Sequence, residues 1–128
     1  MNPLTLEWVE KAEGDYSSAG RELRARIRPN FDAACFHSHQ VAEKYLKAIL
    51  QEQGQVIPRT HNLIDLIALC LTNDPTFGLL RPDLVALNTY SVRFRYPGAT
   101  AEKQEAKAAF KSADFVRKFT RTKLGLQE

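Results

Sequence analysis

The stretch from Ala33 to Leu66, AACFHSHQVAEKYLKAILQEQGQVIPRTHNLIDL, constrains the fold more than any other part of the chain. At about 100° per residue, apolar positions recurring every three or four residues mark one face of an α-helix. Cys35, Ala42, Leu46 and Ile49 share such a face, while His37, Gln40, Lys44 and Lys47 form a polar, partly cationic stripe on the opposite side. The apolar face explains why the segment folds. The stripe has no evident structural duty. Gly54 and Pro58 then break the helix and deliver Arg59, Thr60 and His61 to the start of a further apolar helix.

The other segments carry the same helical period. Thr5 is a candidate cap for a first helix, with Trp8, Val9, Ala12, Tyr16, Ala19 and Leu23 on its apolar side. Acids lie early in it and arginines late, in accord with the helix dipole. Pro29-Asn30 ends it, and the second helix spans about Phe31 to Gln53, stopped at Gly54. Asn62 caps a third, with Leu63, Leu66, Ile67 and Cys70 inward, ended by Asn73-Asp74-Pro75. A fourth covers Arg81 to about Tyr90. Tyr90 to Gly98 alternates like a strand, but a lone strand has no partner in a helical chain, so an extended loop ending in a Pro-Gly turn is expected. Thr100 is the expected cap of a last helix reaching about Lys123, with Ala106, Ala109, Phe110, Ala113, Val116 and Phe119 on its core side. Helices joined by short connections predict one all-α domain over residues 1–128, an antiparallel up-and-down bundle of about five helices.

Length and charge exclude other classes. A chain of 128 residues with 44% hydrophobic and 26% charged residues buries one ordinary core. A net charge of +3 permits an anionic partner without demanding one. The apolar run Leu63–Leu71 is too short to span a bilayer and is interrupted by Asp65, and residues 1–16 lack the pattern of a secretory signal. Cytoplasmic placement without membrane attachment is expected. Cys35 and Cys70 both fall in apolar helical patterns and read as small buried hydrophobes.

His37, Gln40, Lys44 and Lys47 follow one another at three- and four-residue steps, so their side chains can converge. Two ammonium groups, an imidazole and an amide suit a phosphate or nucleotide. The plain alternative is a solvated face, or Lys44 paired with Glu43, Glu52 or an acid on another helix. Arg59 and His61 stand just before a helix N-terminus, whose free N–H groups receive anions; His61 can equally brace the connector. Arg93, Arg95 and Tyr96 combine arginine and an aromatic ring, a base-and-phosphate grip, or a loop packed by Tyr96 while Arg95 neutralises a buried acid. The lysines of the last helix suit a solubilising face or contact with nucleic acid. His39 projects toward the apolar side and reads as a core histidine bonded to a backbone carbonyl. Glu43, at the border of that side, reads as the partner of an internal cation. No Cys/His/Asp spacing completes a metal site, and no cofactor is implied.

Three segments in order, FHSHQVAEKYLKAIL at Phe36–Leu50, RTHNLIDL at Arg59–Leu66 and RYPG at Arg95–Gly98, together with Asp15-Tyr16 ahead of an arginine-rich helix end, resemble the HEPN family (higher eukaryotes and prokaryotes nucleotide-binding domain). The resemblance implies a helical bundle, often a homodimer, in a family that includes partners of minimal nucleotidyltransferases, toxins of toxin–antitoxin pairs and ribonucleases. Its ribonuclease branches carry an arginine followed four to six residues later by a histidine. Here the histidines are His37, His39 and His61, and none stands at that distance from an arginine.

Two functions are expected. The first is a non-catalytic module binding a nucleotide, RNA or a partner such as a small nucleotidyltransferase or antitoxin, through His37, Gln40, Lys44, Lys47, Arg59, His61, Arg95 and Tyr96. The second is a metal-independent ribonuclease toxin of variant active site, with His61 or His37 as general base or acid. The missing motif places the first ahead.

Overall fold

The computed structural model describes residues 1–127. The described residues form five α-helices: α1 (Pro3–Arg24), α2 (Phe31–Glu52), α3 (Leu63–Leu71), α4 (Arg81–Leu87) and α5 (Lys103–Lys123). Two 3-10 segments, Pro75–Leu80 and Asn88–Ser91, flank α4. No strand occurs among the described residues, so the all-α bundle expected from periodicity is the fold.

The apolar face of α2 lies at the centre. Cys35, Ala42, Leu46 and Ile49 are buried there, against Leu63, Leu66, Ile67 and Cys70 of α3, Leu84 and Leu87 of α4, and Ala106, Ala109 and Val116 of α5. Burial pushes both cysteine thiols up to about 12, which leaves them inert. A second cluster, Val9, Ala12, Val41, Tyr45, Ala48 and Ala113, closes α1 onto α2 and α5. The helices α1 and α2 run antiparallel: Thr5 donates to Glu52 at one end, and Asp15 meets His37 at the other. Glu13 on α1 ties all three long helices together, accepting from Arg117 Nε (2.7 Å) and Nη2 (3.0 Å) of α5 and from the Tyr45 hydroxyl of α2.

Several local expectations are corrected. Asn2, not Thr5, caps α1, accepting from the Leu4 N–H at 2.8 Å; Pro3 suits the first helical position, and Thr5 is buried inside the helix. Glu102 occupies the N-cap position of α5 in place of Thr100, and makes no side-chain capping bond. The segment from Tyr90 to Gly98 is a 3-10 turn followed by further turns, not an extended loop. Within it Tyr90 stacks on Phe94 at 5.7 Å, one turn apart. The 3-10 segment Pro75–Leu80, which drives Phe77 and Leu80 into the core, has no helical repeat long enough to show in the sequence. Asn62 does cap α3, accepting from the Ile64 and Asp65 N–H groups. Gly54, at a φ of 73°, takes the left-handed conformation that lets the chain leave α2.

That exit sets the position of the connector. The segment after Gly54 runs back along α2, so α3 begins beside His39 and ends near Gln55, with the Leu69 carbonyl bonded to the Gln55 amide. His61 is thereby laid over the middle of α2.

Candidate functional site

The polar residues of α2 fall into two clusters instead of one open stripe. In the first, Asp15 of α1 accepts from His37 Nδ1 at 2.7 Å and from Lys44 Nζ at 2.6 Å. A carboxylate only accepts, so Nδ1 carries the hydrogen and Nε2 is left as the basic nitrogen. Burial raises the Asp15 pKa, but the bonds from His37 and Lys44 outweigh it, and the carboxyl is held below its ordinary value. His37 also lines a polar cavity of about 280 Å³ with Ser18, Arg21 and Glu22. Arg21 is anchored there by the hydroxyls of Ser17 (2.7 Å) and Ser18 (3.2 Å).

The second cluster is centred on Glu43, which is buried. Lys47, only 6% exposed, donates to one carboxylate oxygen at 3.0 Å. His61 Nδ1 donates to the other at 3.0 Å, although the His61 side chain is 70% exposed. Behind them His39 is fully buried. Its Nε2 donates to the His61 carbonyl at 3.0 Å, and its Nδ1 lies 3.2 Å from the Gln40 amide. Burial is the largest influence on His39 and lowers its pKa, so the ring is neutral. The expectations of a core histidine bonded to a carbonyl and of an internal Glu43 pair both hold.

The stripe therefore has a structural duty after all: it fastens α1 and the connector to α2. Lys44 and Lys47 are each ion-paired within the fold, with Asp15 and Glu43. The sequence could not single out the Lys44 partner, because Asp15 lies on another helix, whereas Lys47 and Glu43 stand four apart on α2 itself. Only Gln40 and His37 of the four retain a polar atom without such a charge partner.

A pH dependence arises from these groups. The unfolded chain takes up a proton at His39 near the ordinary value of 6.5, while the folded chain resists it, so stability falls as pH drops below 6.5. Asp15 and Glu13 add to this at lower pH. Burial raises each, but the bonds from His37 and Lys44, and from Arg117 and Tyr45, prevail and lower both. Their stabilisation is complete above the ordinary values of 3.8 and 4.5 and is lost as pH falls through the depressed ones. Urea midpoints measured against pH check the sign. The loss just below pH 6.5 should vanish in His39→Gln, and a slope that persists there would assign it to another group.

The remaining candidates lie elsewhere. Arg59 is exposed and has no ion-pair partner among the described residues. Arg95 is exposed too, and the acid it was expected to neutralise is taken by its neighbour: Arg93 pairs with Glu105 at 3.1 Å, beside the Tyr90 hydroxyl at 2.7 Å. Arg95 instead borders a cavity of about 430 Å³ whose walls are Asn30, Asp32, Phe36, Tyr90 and Phe94. Tyr96, 69% exposed, neither lines this cavity nor packs the loop. Sequence reading missed Phe36, Tyr90 and Phe94 as site residues, since the first lies on α2 and the others on the turns after α4, and only packing brings them together. Phe36 meets the His37 ring edge-on at 5.4 Å, which sets the aromatic cavity and the His37 cavity on two sides of one short stretch of α2. No group of three or more metal-ligating side chains occurs among the described residues. Among them, no helix is long and apolar enough to cross a membrane.

Two solved structures share the architecture, each at a TM-score of 0.75 and 24% identity over 93% of this chain. One is TT1696 from Thermus thermophilus, 97% of which is covered; the other is ST0689, described as an archaeal HEPN homologue, covered over 96%. A comparison with curated proteins found no significant match. The profile of the HEPN domain matches residues 5–123, from the first turn of α1 to the last residue of α5. The chain belongs to the HEPN family.

Proposed function

We propose that this HEPN domain is a binding module that takes a nucleotide in the cavity bordered by Arg95. It acts as a homodimer in the cytoplasm beside a nucleotidyltransferase-type partner, as an accessory subunit or as one half of a toxin–antitoxin pair. One observation carries the reading: an arginine without a carboxylate partner among the described residues stands at the rim of a cavity walled by three aromatic rings, with Asn30 and Asp32 at its polar edge. Aromatic faces hold a base by stacking, a guanidinium holds a phosphate, and a volume of about 430 Å³ falls in the range of small-molecule sites. Arg59 and His61, exposed on the connector, are left for the partner protein. Calorimetric titration with a nucleoside monophosphate tests the site. Arg95→Ala and Phe94→Ala should each weaken binding by about tenfold or more, from one charge-assisted contact or one stacked base. Affinity unchanged in both variants would remove the nucleotide from this cavity. Recovery of a small nucleotidyltransferase in stable ratio with the tagged protein tests the partnership.

One arrangement favours the second reading, a metal-independent ribonuclease. Asp15 orients His37 and leaves Nε2 basic, and Arg21 lines the same cavity. The arginine and histidine that nuclease branches carry on one segment would here come from two helices, with His37 as general base for a ribose hydroxyl and Arg21 beside the charge that develops on phosphorus. RNA cleavage abolished by His37→Ala and retained by His61→Ala would establish it. Absence of cleavage by the native protein would leave the binding module alone.

A further inference from the structure

The cations gathered where α1 ends and α5 begins have no part in either reading. Arg24 and Arg26 from the end of α1 and its exit, and Lys103 and Lys107 from the first two turns of α5, line one cavity of about 550 Å³. Its apolar wall is Leu23, Pro29 and Phe31, and no carboxylate lines it. The chain carries 15 acids against 18 lysines and arginines, so a concave site with four cations and no acid is a local excess that the overall composition does not produce. Of the acids that lie nearby in sequence, Glu22 and Glu102 do not line the cavity, and Asp32 and Glu105 are engaged by other groups. Asp32 accepts from the Ala101 N–H at 2.7 Å, and Glu105 accepts from Tyr90 and Arg93.

Two further features bear on the same place. Gly20 is buried in the body of α1, where glycine is unfavourable by about as much as any residue but proline. A Cβ there would lie 2.8 Å from Arg24 Nη1 and 3.0 Å from Nη2, so the missing side chain is what lets the Arg24 guanidinium lie back along the helix. The first turn of α5, which supplies Lys103, also lacks a side-chain cap, and its free N–H groups and dipole add to the positive potential.

We infer that this cleft between α1 and α5 binds a chain of linked phosphates, either inorganic or the tail of a nucleoside polyphosphate. A single phosphate group, with a charge of about −2, leaves half of the four cations uncompensated. Linked phosphates match both their number and their distribution over two helices. Arginine and lysine are the side chains suited to such oxygens, and the cavity size is that of a small-molecule site. The site is separate from the Arg95 cavity and stands or falls independently of it.

The test is calorimetry on the full chain with magnesium-free tripolyphosphate as the probe. One site per chain is expected, with orthophosphate bound at least tenfold more weakly. Arg26→Ala and Lys107→Ala should each reduce affinity by about tenfold, the effect of one charge-assisted contact. Lys11→Ala, a cation outside the cleft, should leave it unchanged. Gly20→Ala separates positioning from structure: it should raise thermal stability, by the helix preference for alanine, while weakening tripolyphosphate binding. ATP distinguishes the two sources. Equal affinity for ATP and tripolyphosphate points to the phosphate chain alone; tighter ATP binding that Phe31→Ala removes points to a nucleoside polyphosphate. Failure to bind tripolyphosphate, or equal losses from Lys11→Ala and Lys107→Ala, overturns the proposal. So does a single-stranded RNA that binds through Arg26 and Lys107 and is not displaced by tripolyphosphate.

Discussion

Glu43→Ala will cost the fold about 3–5 kcal/mol, the range found when one partner of a buried ion pair is removed. The reason is what it leaves behind. Lys47 is almost wholly enclosed, the carboxylate beside it is that of Glu43, and its other neighbour is the Trp8 ring, 5.7 Å from the ammonium group. Cation–π attraction of this kind contributes about 0.5–2 kcal/mol, too little to replace a carboxylate. The same substitution frees His61 from the α2 surface and loosens the connector. Urea unfolding of the single variant, compared with the double variant Glu43→Leu with Lys47→Met, separates the two effects. The double variant should lose far less than the single one, because apolar groups of similar size replace a buried pair at little net cost. A loss below about 1 kcal/mol in the single variant would mean that water reaches Lys47 past His61, and that the cluster behaves as a surface pair.

Phe77→Ala should destabilise by a similar amount, about 3–5 kcal/mol, the usual cost of truncating a buried phenylalanine. Phe77 is buried, meets the Phe119 ring of α5 edge-on at 5.2 Å, and lies 5.9 Å beneath the Lys123 ammonium group. It is the side chain through which a six-residue 3-10 segment is fixed to the bundle, so the loss includes the docking of Pro75–Leu80 and the Lys123–Asp74 pair at 2.9 Å. Thermal denaturation reads the effect. Phe77→Leu, which keeps most of the volume, should lose less than half as much. Equal losses for the two variants would indicate that ring geometry, not filled volume, holds the segment.

The sequence by itself determined the elements whose signal is local. A period of 3.6 residues is written along α2 and α5 because each buries one stripe, and Asn62 and Gly54 mark ends because capping and left-handed turns depend on neighbours a few residues away. Pairing of His39 with a carbonyl was legible from its place on the apolar side. The N-cap positions expected at Thr5 and Thr100 fall instead to Asn2 and Glu102, since the apolar period alone does not fix where a helix starts. Pro75–Leu80 is too short for a period.

Only the tertiary structure decided the site. Lys44 meets an acid 29 residues away and His37 the same acid 22 residues away, and the returning connector brings His61 to Glu43, which Lys47 already meets four residues along α2. A cationic stripe read on one helix cannot reveal that its charges are already answered from another. The same limit works in the other direction: Arg24, Arg26, Lys103 and Lys107 are ordinary at their separate places in the sequence and become one cleft only when the end of α1 meets the start of α5. Charge acts through space, and the packing of helices determines which charges are neighbours.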